Sequence, residues 1–291
     1  MWCLPRKEIN INDFRTYLIL SLFQLSQTAF SHGFVLNFSD PRTSEWFLIS
    51  RPGWLIAIVS LYVYFSVSAG PRLMENRAPY TLRTILIIYN FIQVLLSSYI
   101  VYEGLMVGWL FEFSFGCEPV DYSESPSAMR VSSMILRFLL DTVFFVLRKK
   151  NRQISFLHVY HHAAMPLAAW LAVRYFAGGH VSLIGVLNSF VHIFMYGYYM
   201  LAALGPQVQK YLWWKKYLTL LQLIQFFLIA VHNTQILLIG CNFSKSLLYL
   251  INLQSAVFVY MFGSFYIQNY VKSNTSSAKV DGASSKSLKV D

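Results

Sequence analysis

Apolar residues run through this chain in blocks too long for the core of a soluble domain. A helix needs about 20 mostly apolar residues to cross roughly 30 Å of hydrocarbon. Seven stretches approach that length: 54–69, 84–106, 132–147, 158–176, 181–204, 218–240 and 246–270. The third and fourth are short and carry polar groups. An earlier stretch, 17–38, is interrupted by Gln24, Ser26, Gln27, Thr28, Ser31 and His32 and reads as an interfacial segment. The pattern predicts an all-α, polytopic membrane protein, a bundle of seven transmembrane helices over 54–271. It is preceded by a lumenal or interfacial segment (1–53) and followed by a Ser/Lys-rich tail (272–291) whose composition predicts disorder.

Composition agrees with this picture. Of 291 residues, 56% are hydrophobic and only 12% charged, with a mean hydropathy of +0.48; soluble domains carry about twice that charged fraction. The net charge of +10 would suggest nucleic acid in a soluble protein. Here the cations sit in short loops beside the spans, where they set membrane orientation instead. Arg72, Arg77 and Arg83 follow the first span; Arg148, Lys149, Lys150 and Arg152 the third; Lys210, Lys215 and Lys216 the fifth; Lys272, Lys279, Lys286 and Lys289 the last. The alternate loops hold only Arg130, Arg174 and Lys245. The basic loops and the C-terminus are therefore expected in the cytosol, although the N-terminal segment carries five basic residues on the other side. Cys117 and Cys241 both fall on the non-cytosolic side, where two cysteines can pair in an oxidising lumen or remain free thiols. The sequons at Asn37 and Asn242 fall there too.

Ionisable groups inside spans are costly in lipid and mark candidate sites. His158, His161 and His162 stand at i, i+3 and i+4, which share one helix face. Asn188, His192, Tyr196 and Tyr199 form a stripe on the fifth span, where the tyrosines alone would suggest packing. Gln222 and Gln225, with Thr219, share a face of the sixth, the usual arrangement for interhelical hydrogen bonds. Asp141 and Thr142 lie on the third, and Asp141 needs a partner: Arg137 one turn earlier, or a histidine on a neighbouring helix. These groups lie toward the cytosolic side, near a collar of Arg148, Lys149, Lys150, Lys215 and Lys216 suited to anionic phosphates. The collar is also what orientation alone would produce. A substrate with a charged head and an apolar tail, such as an acyl-CoA, fits the arrangement.

Two chemistries compete for the histidines. A di-iron membrane desaturase needs several histidine boxes, and beyond the cluster and His192 this chain has only His32, His180 and His232, each isolated in the sequence. Acyl transfer needs a nucleophile with a base nearby. No cysteine lies in a span, which leaves histidine.

The ordered set of motifs resembles the elongation-of-very-long-chain-fatty-acids family of membrane 3-oxoacyl-CoA synthases. The resemblance rests on Asp40-Pro-Arg-Thr-Ser-Glu-Trp46, Gly70-Pro-Arg-Leu-Met-Glu-Asn-Arg77, Cys117-Glu-Pro-Val-Asp-Tyr-Ser123, Asp141-Thr-Val-Phe-Phe-Val-Leu-Arg-Lys-Lys150, His158-Val-Tyr-His-His162, Asn188-Ser-Phe-Val-His-Ile-Phe-Met-Tyr196 and Thr219-Leu-Leu-Gln-Leu-Ile-Gln225. It implies a seven-span bundle of the endoplasmic reticulum membrane with an acyl-chain tunnel. The implied reaction condenses acyl-CoA with malonyl-CoA through a histidine acyl-enzyme, with no metal and no cofactor beyond the substrates. His161 or His162 would accept the acyl group, supported by His158; His192 and Asn188 would assist, and Gln222 and Gln225 would donate hydrogen bonds. Implied partners are the ketoreductase, dehydratase and enoyl reductase of the elongation cycle, with homo- or hetero-oligomers open. One departure stands out. The family's Lys-X-X-Glu-X-X-Asp-Thr reads Ile135-X-X-Phe138-X-X-Asp141-Thr142 here, which leaves open a non-catalytic acyl-CoA-binding subunit.

Overall fold

The computed structural model describes residues 39–111, 113–123 and 140–271, and every regular element among them is helical. The interfacial stretch, Asn37, the C-terminal tail and the motif positions Ile135, Arg137 and Phe138 lie outside the described residues. The principal helices are α1 (Pro52–Met74), α2 (Arg83–Gly104), α3 (Leu140–Leu147), α4 (Phe156–Tyr175), α5 (Ser182–Ala203), α6 (Lys215–Ile239) and α7 (Lys245–Tyr266). Five segments are long and apolar enough to cross a membrane: α1, α2, Gly179–Ala203 with α5, α6, and Lys245–Val271 with α7. Only 17–39% of their apolar windows is buried inside the protein, so most of each faces outward.

Local chemistry sets the helix ends. Pro52 opens α1 at a position where its missing N–H is no loss. Ser155 caps α4 by accepting from the His158 N–H, and Ser244 caps α7 by accepting from Leu247. Gly240, at φ 78°, closes α6 in the left-handed conformation that glycine adopts freely. The expected end of the first span near residue 69 is overrun. Pro71 lacks the N–H that would continue the α-helical ladder, and a π turn over Phe65–Ala69 carries the helix past it to Met74.

α4 is the centre of the fold. It is not among the five apolar spans, yet twelve of its residues are buried. One side packs Val159, Ala163 and Leu167 against Leu55, Val59 and Tyr62 of α1 and Val146 of α3. The other packs Leu157, Tyr160 and Ala164 against Phe226 of α6 and Phe258, Phe262 and Phe265 of α7. α2 lies along α5, and α5 along α6, to complete the wall.

Side-chain and backbone bonds define two ends. At the basic end, Arg83 donates to the Leu204 carbonyl, Tyr80 N–H to Leu147 (3.1 Å) and Lys149 Nζ to Glu75 (2.9 Å). At the opposite end Cys117 and Cys241 are bonded, with their Cα atoms 5.8 Å apart. There the loop Cys117–Pro119 presses on Gly179, where φ is +58° and a Cβ would stand 2.9 Å from Glu118 O and Pro119 C. A buried Arg42–Asp40 ion pair (2.5 Å) binds the entry segment to the end of α4 through Ala177 O and Arg174 O. Tyr122 lies 5.7 Å from that guanidinium. Burial and the Asp40 carboxylate raise its pKa above the ordinary tyrosine value, with Arg42 opposing.

Candidate functional site

α4, α5, α6 and α7 enclose a small cavity lined by His158, His161, His162, Asn188, His192, Met195, Tyr196, Gln222, Gln225, Phe226 and Phe262 among others. Its free volume is about 30 Å³, room for one or two water molecules. The three α4 imidazoles meet as their spacing requires: ring centroids are 4.2 Å apart for His158–His162 and 5.3 Å for His161–His162. His158 and His162 are buried and His161 is half-buried against Phe258. From α5, the His192 ring lies 5.5 Å from that of Tyr196. From α6, Gln222 Nε2 reaches Met195 Sδ at 3.9 Å.

α3 stands behind the histidines and forks at two consecutive residues. Thr142 Oγ1 lies 2.7 Å from His158 Nε2 and 2.7 Å from the Tyr62 hydroxyl of α1. A threonine hydroxyl holds one proton, so Thr142 donates to at most one of Tyr62 and His158 and accepts from the other. Asp141 points the other way and accepts from the Tyr196 hydroxyl at 2.9 Å. Its hydrogen-bond partner is thus a tyrosine, while the His162 imidazole of the neighbouring α4 interacts with the carboxylate electrostatically.

The remaining expected residues divide. Tyr199 lies outside the cavity, half-buried against Tyr196 and Tyr198, because it sits a turn further along α5 beside Leu212 and Trp214. Arg148, Lys149, Lys150, Lys215 and Lys216 gather at the basic end and do not line the cavity. Lys216 Nζ lies over the Tyr217 ring at 4.9 Å. Thr219 is buried with the glutamines but is not in the lining.

His180 and His232, isolated in the sequence, meet in space: they stack with their rings 3.5 Å apart and 8° from parallel. His180 Nε2 lies 3.1 Å from the His232 carbonyl, and Trp109 packs edge-on against both rings. α5 and α6 are antiparallel neighbours, so the start of one meets the end of the other. Among the described residues no group of three or more His, Cys, Asp or Glu side chains is disposed to hold a metal ion. Sequence reasoning also missed Tyr62; Tyr64 stands two residues on in the same segment, so the phenol alone did not single it out.

Known proteins match this chain over the region that builds the cavity. The GNS1/SUR4 family (ELO) matches residues 47–278. A very long chain fatty acid elongase of Aedes aegypti is 46% identical over 248 residues, 82% of this chain and 69% of the relative. Very long chain fatty acid elongase 7 of Drosophila melanogaster is 48% identical over 245 residues (81% and 74%), and very long chain fatty acid elongase 1 of Homo sapiens 44% over 247 (82% and 88%). With a multi-pass helical membrane fold and a family match across most of its length, the chain belongs to the GNS1/SUR4 (ELO) family of fatty acid elongases.

Proposed function

We propose that this protein condenses acyl-CoA with malonyl-CoA to give 3-oxoacyl-CoA, carbon dioxide and CoA, through an acyl group carried on His161 or His162. The observation that carries this reading is the convergence of four imidazoles and three carboxamides in one cavity between α4, α5 and α6. An imidazole nitrogen attacks the thioester carbonyl, the C–S bond breaks, and CoA leaves with the displaced proton. Malonyl-CoA then loses carbon dioxide, and its enolate carbon attacks the acyl-imidazole carbonyl. The C–C bond forms as the C–N bond breaks, and the departing imidazolate takes up a proton from solvent to restore the histidine.

Gln222 and Gln225 supply amide N–H groups for the developing oxyanions, where preorganised donors contribute most. Asn188 orients the thioester, and His192 assists proton transfer. Thr142, itself fixed by Tyr62, orients His158. An acyl chain needs more room than about 30 Å³, so the cavity widens when substrate binds. The cell-level reading is a seven-span protein of the endoplasmic reticulum, with its basic end and C-terminus in the cytosol. There it would work beside the reductases and dehydratase that complete elongation.

The test is incubation of purified protein with an acyl-CoA panel and radiolabelled malonyl-CoA, scoring labelled 3-oxoacyl-CoA. Labelled acyl-CoA alone should leave a covalent acyl-protein that His161→Ala or His162→Ala abolishes. Undiminished turnover in the double variant would overturn the histidine acyl-enzyme. No product from folded protein that still binds acyl-CoA would favour a non-catalytic subunit, the reading that Ile135 and Phe138 leave open.

A further inference from the structure

α3 ends in a way that its sequence does not favour. The Lys149 N–H bonds Val146 O (3.0 Å) and the Lys150 N–H bonds Phe145 O (2.9 Å), the paired bonds of a Schellman cap. That cap places Lys149 at φ 51°, a left-handed conformation usually given to glycine. Lys149 is the one non-glycine residue with positive φ among the described residues. A side chain kept where glycine would be easier is a pointer to a task for that side chain.

The Lys149 ammonium has a definite setting. Nζ donates to the Glu75 backbone carbonyl at 2.9 Å, which uses one of the three N–H donors of an ammonium. Beside it opens a pocket of about 430 Å³ lined by Pro71, Arg72, Met74, Glu75, Lys149 and Asn151. The pocket contains two cations and one carboxylate. The one ion pair among the described residues is Arg42–Asp40, so Glu75 is in direct contact with neither cation, and the pocket keeps a surplus of one positive charge. Along α3, Lys149 lies seven residues beyond Thr142, about 10 Å at helical rise. Val146, between them, packs against Gly70, the residue before the pocket's Pro71.

We infer that this pocket is a phosphate site and that it holds a phosphate group of the CoA carrier while the pantetheine arm reaches the histidines. Lys149 and Arg72 grip it from opposite walls, one from the end of α3 and one from the end of α1. The inference rests on the condensation reading for the identity of the ligand. An anionic phospholipid headgroup offers the same phosphate chemistry, and the test separates the two.

CoA binding is measured by calorimetry on the full chain in discs of phosphatidylcholine, for the wild type, Arg72→Ala and Lys149→Gly. Both variants should weaken CoA by roughly tenfold or more, the loss expected for one charge-assisted bond. Lys149→Gly should do so with an equal or higher unfolding midpoint, because glycine relaxes the cap; a lysine with only a structural task would lower it. Wild type and both variants binding CoA equally would overturn the inference and leave the condensation reading intact. So would variants that lose a doped anionic phospholipid but keep CoA, which would make this a lipid site. A wild type that binds no CoA would remove the condensation reading and this inference together.

Discussion

Thr142 has one hydroxyl proton and two neighbours, Tyr62 and His158, each 2.7 Å away. Thr142→Val keeps the volume and removes both bonds, leaving buried polar atoms unpaired at about 1–3 kcal/mol. If His158 must be held in one orientation, turnover of labelled malonyl-CoA falls by roughly ten- to hundredfold, and Thr142→Ser recovers most of it. Equal rates in the valine variant would show the hydroxyl to be idle. Tyr196→Phe leaves the Asp141 carboxyl, buried in the bundle, without the donor it has at 2.9 Å. Its expected outcome is a lower unfolding midpoint as well as a lower rate, readable by thermal denaturation in detergent. The α4 histidines were legible in the sequence because helical spacing places i, i+3 and i+4 together whatever surrounds them. Tyr62 and Thr142 were not legible as partners, being 80 residues apart. The His180–His232 pair escaped for the same reason: only the antiparallel packing of α5 and α6 brings 52 residues of separation to ring contact.

At the scale of elements, hydropathy located the spans well because outward faces are apolar without interruption: 181–204 was expected where α5 is Ser182–Ala203. It ranked α4 poorly because that helix is covered by protein and need not be apolar. α4 also contains Pro166, which has no N–H for the carbonyl of His162 four residues earlier. That carbonyl belongs to the proposed nucleophile's own residue, so the missing bond contributes to how His162 is aimed. Pro166→Ala restores the missing bond; the fold should be no less stable. Turnover should fall, by up to the ~100-fold that an ångström of misplacement costs. An unchanged rate would show that the proline serves packing alone. The α2–α5 contact has a comparable pressure point. A Cβ at Gly104 would stand 2.3 Å from Val186 Cγ2. Gly104→Ala should lower the unfolding midpoint by an amount corresponding to about 1–3 kcal/mol of overpacking.

For the molecule as a whole, the polar lining of the cavity comes from α4, α5 and α6, and the greasy outer faces belong mainly to α1, α2, α5, α6 and α7. The two ends are differently secured, one by hydrogen bonds among basic loops and the other by the Cys117–Cys241 bond. Cys117→Ser should lower the unfolding midpoint by roughly 5–15 °C, with activity per folded molecule largely kept because the cavity lies elsewhere. The same bond closes a covalent ring 124 residues apart in sequence. α3, α4, α5 and α6 are inside that ring, while α1, α2 and α7 are appended to it. A single backbone cut anywhere between the two cysteines therefore releases nothing. Both fragments migrate as one chain until a reductant is added, and no single break can part the histidines of α4 from the glutamines of α6.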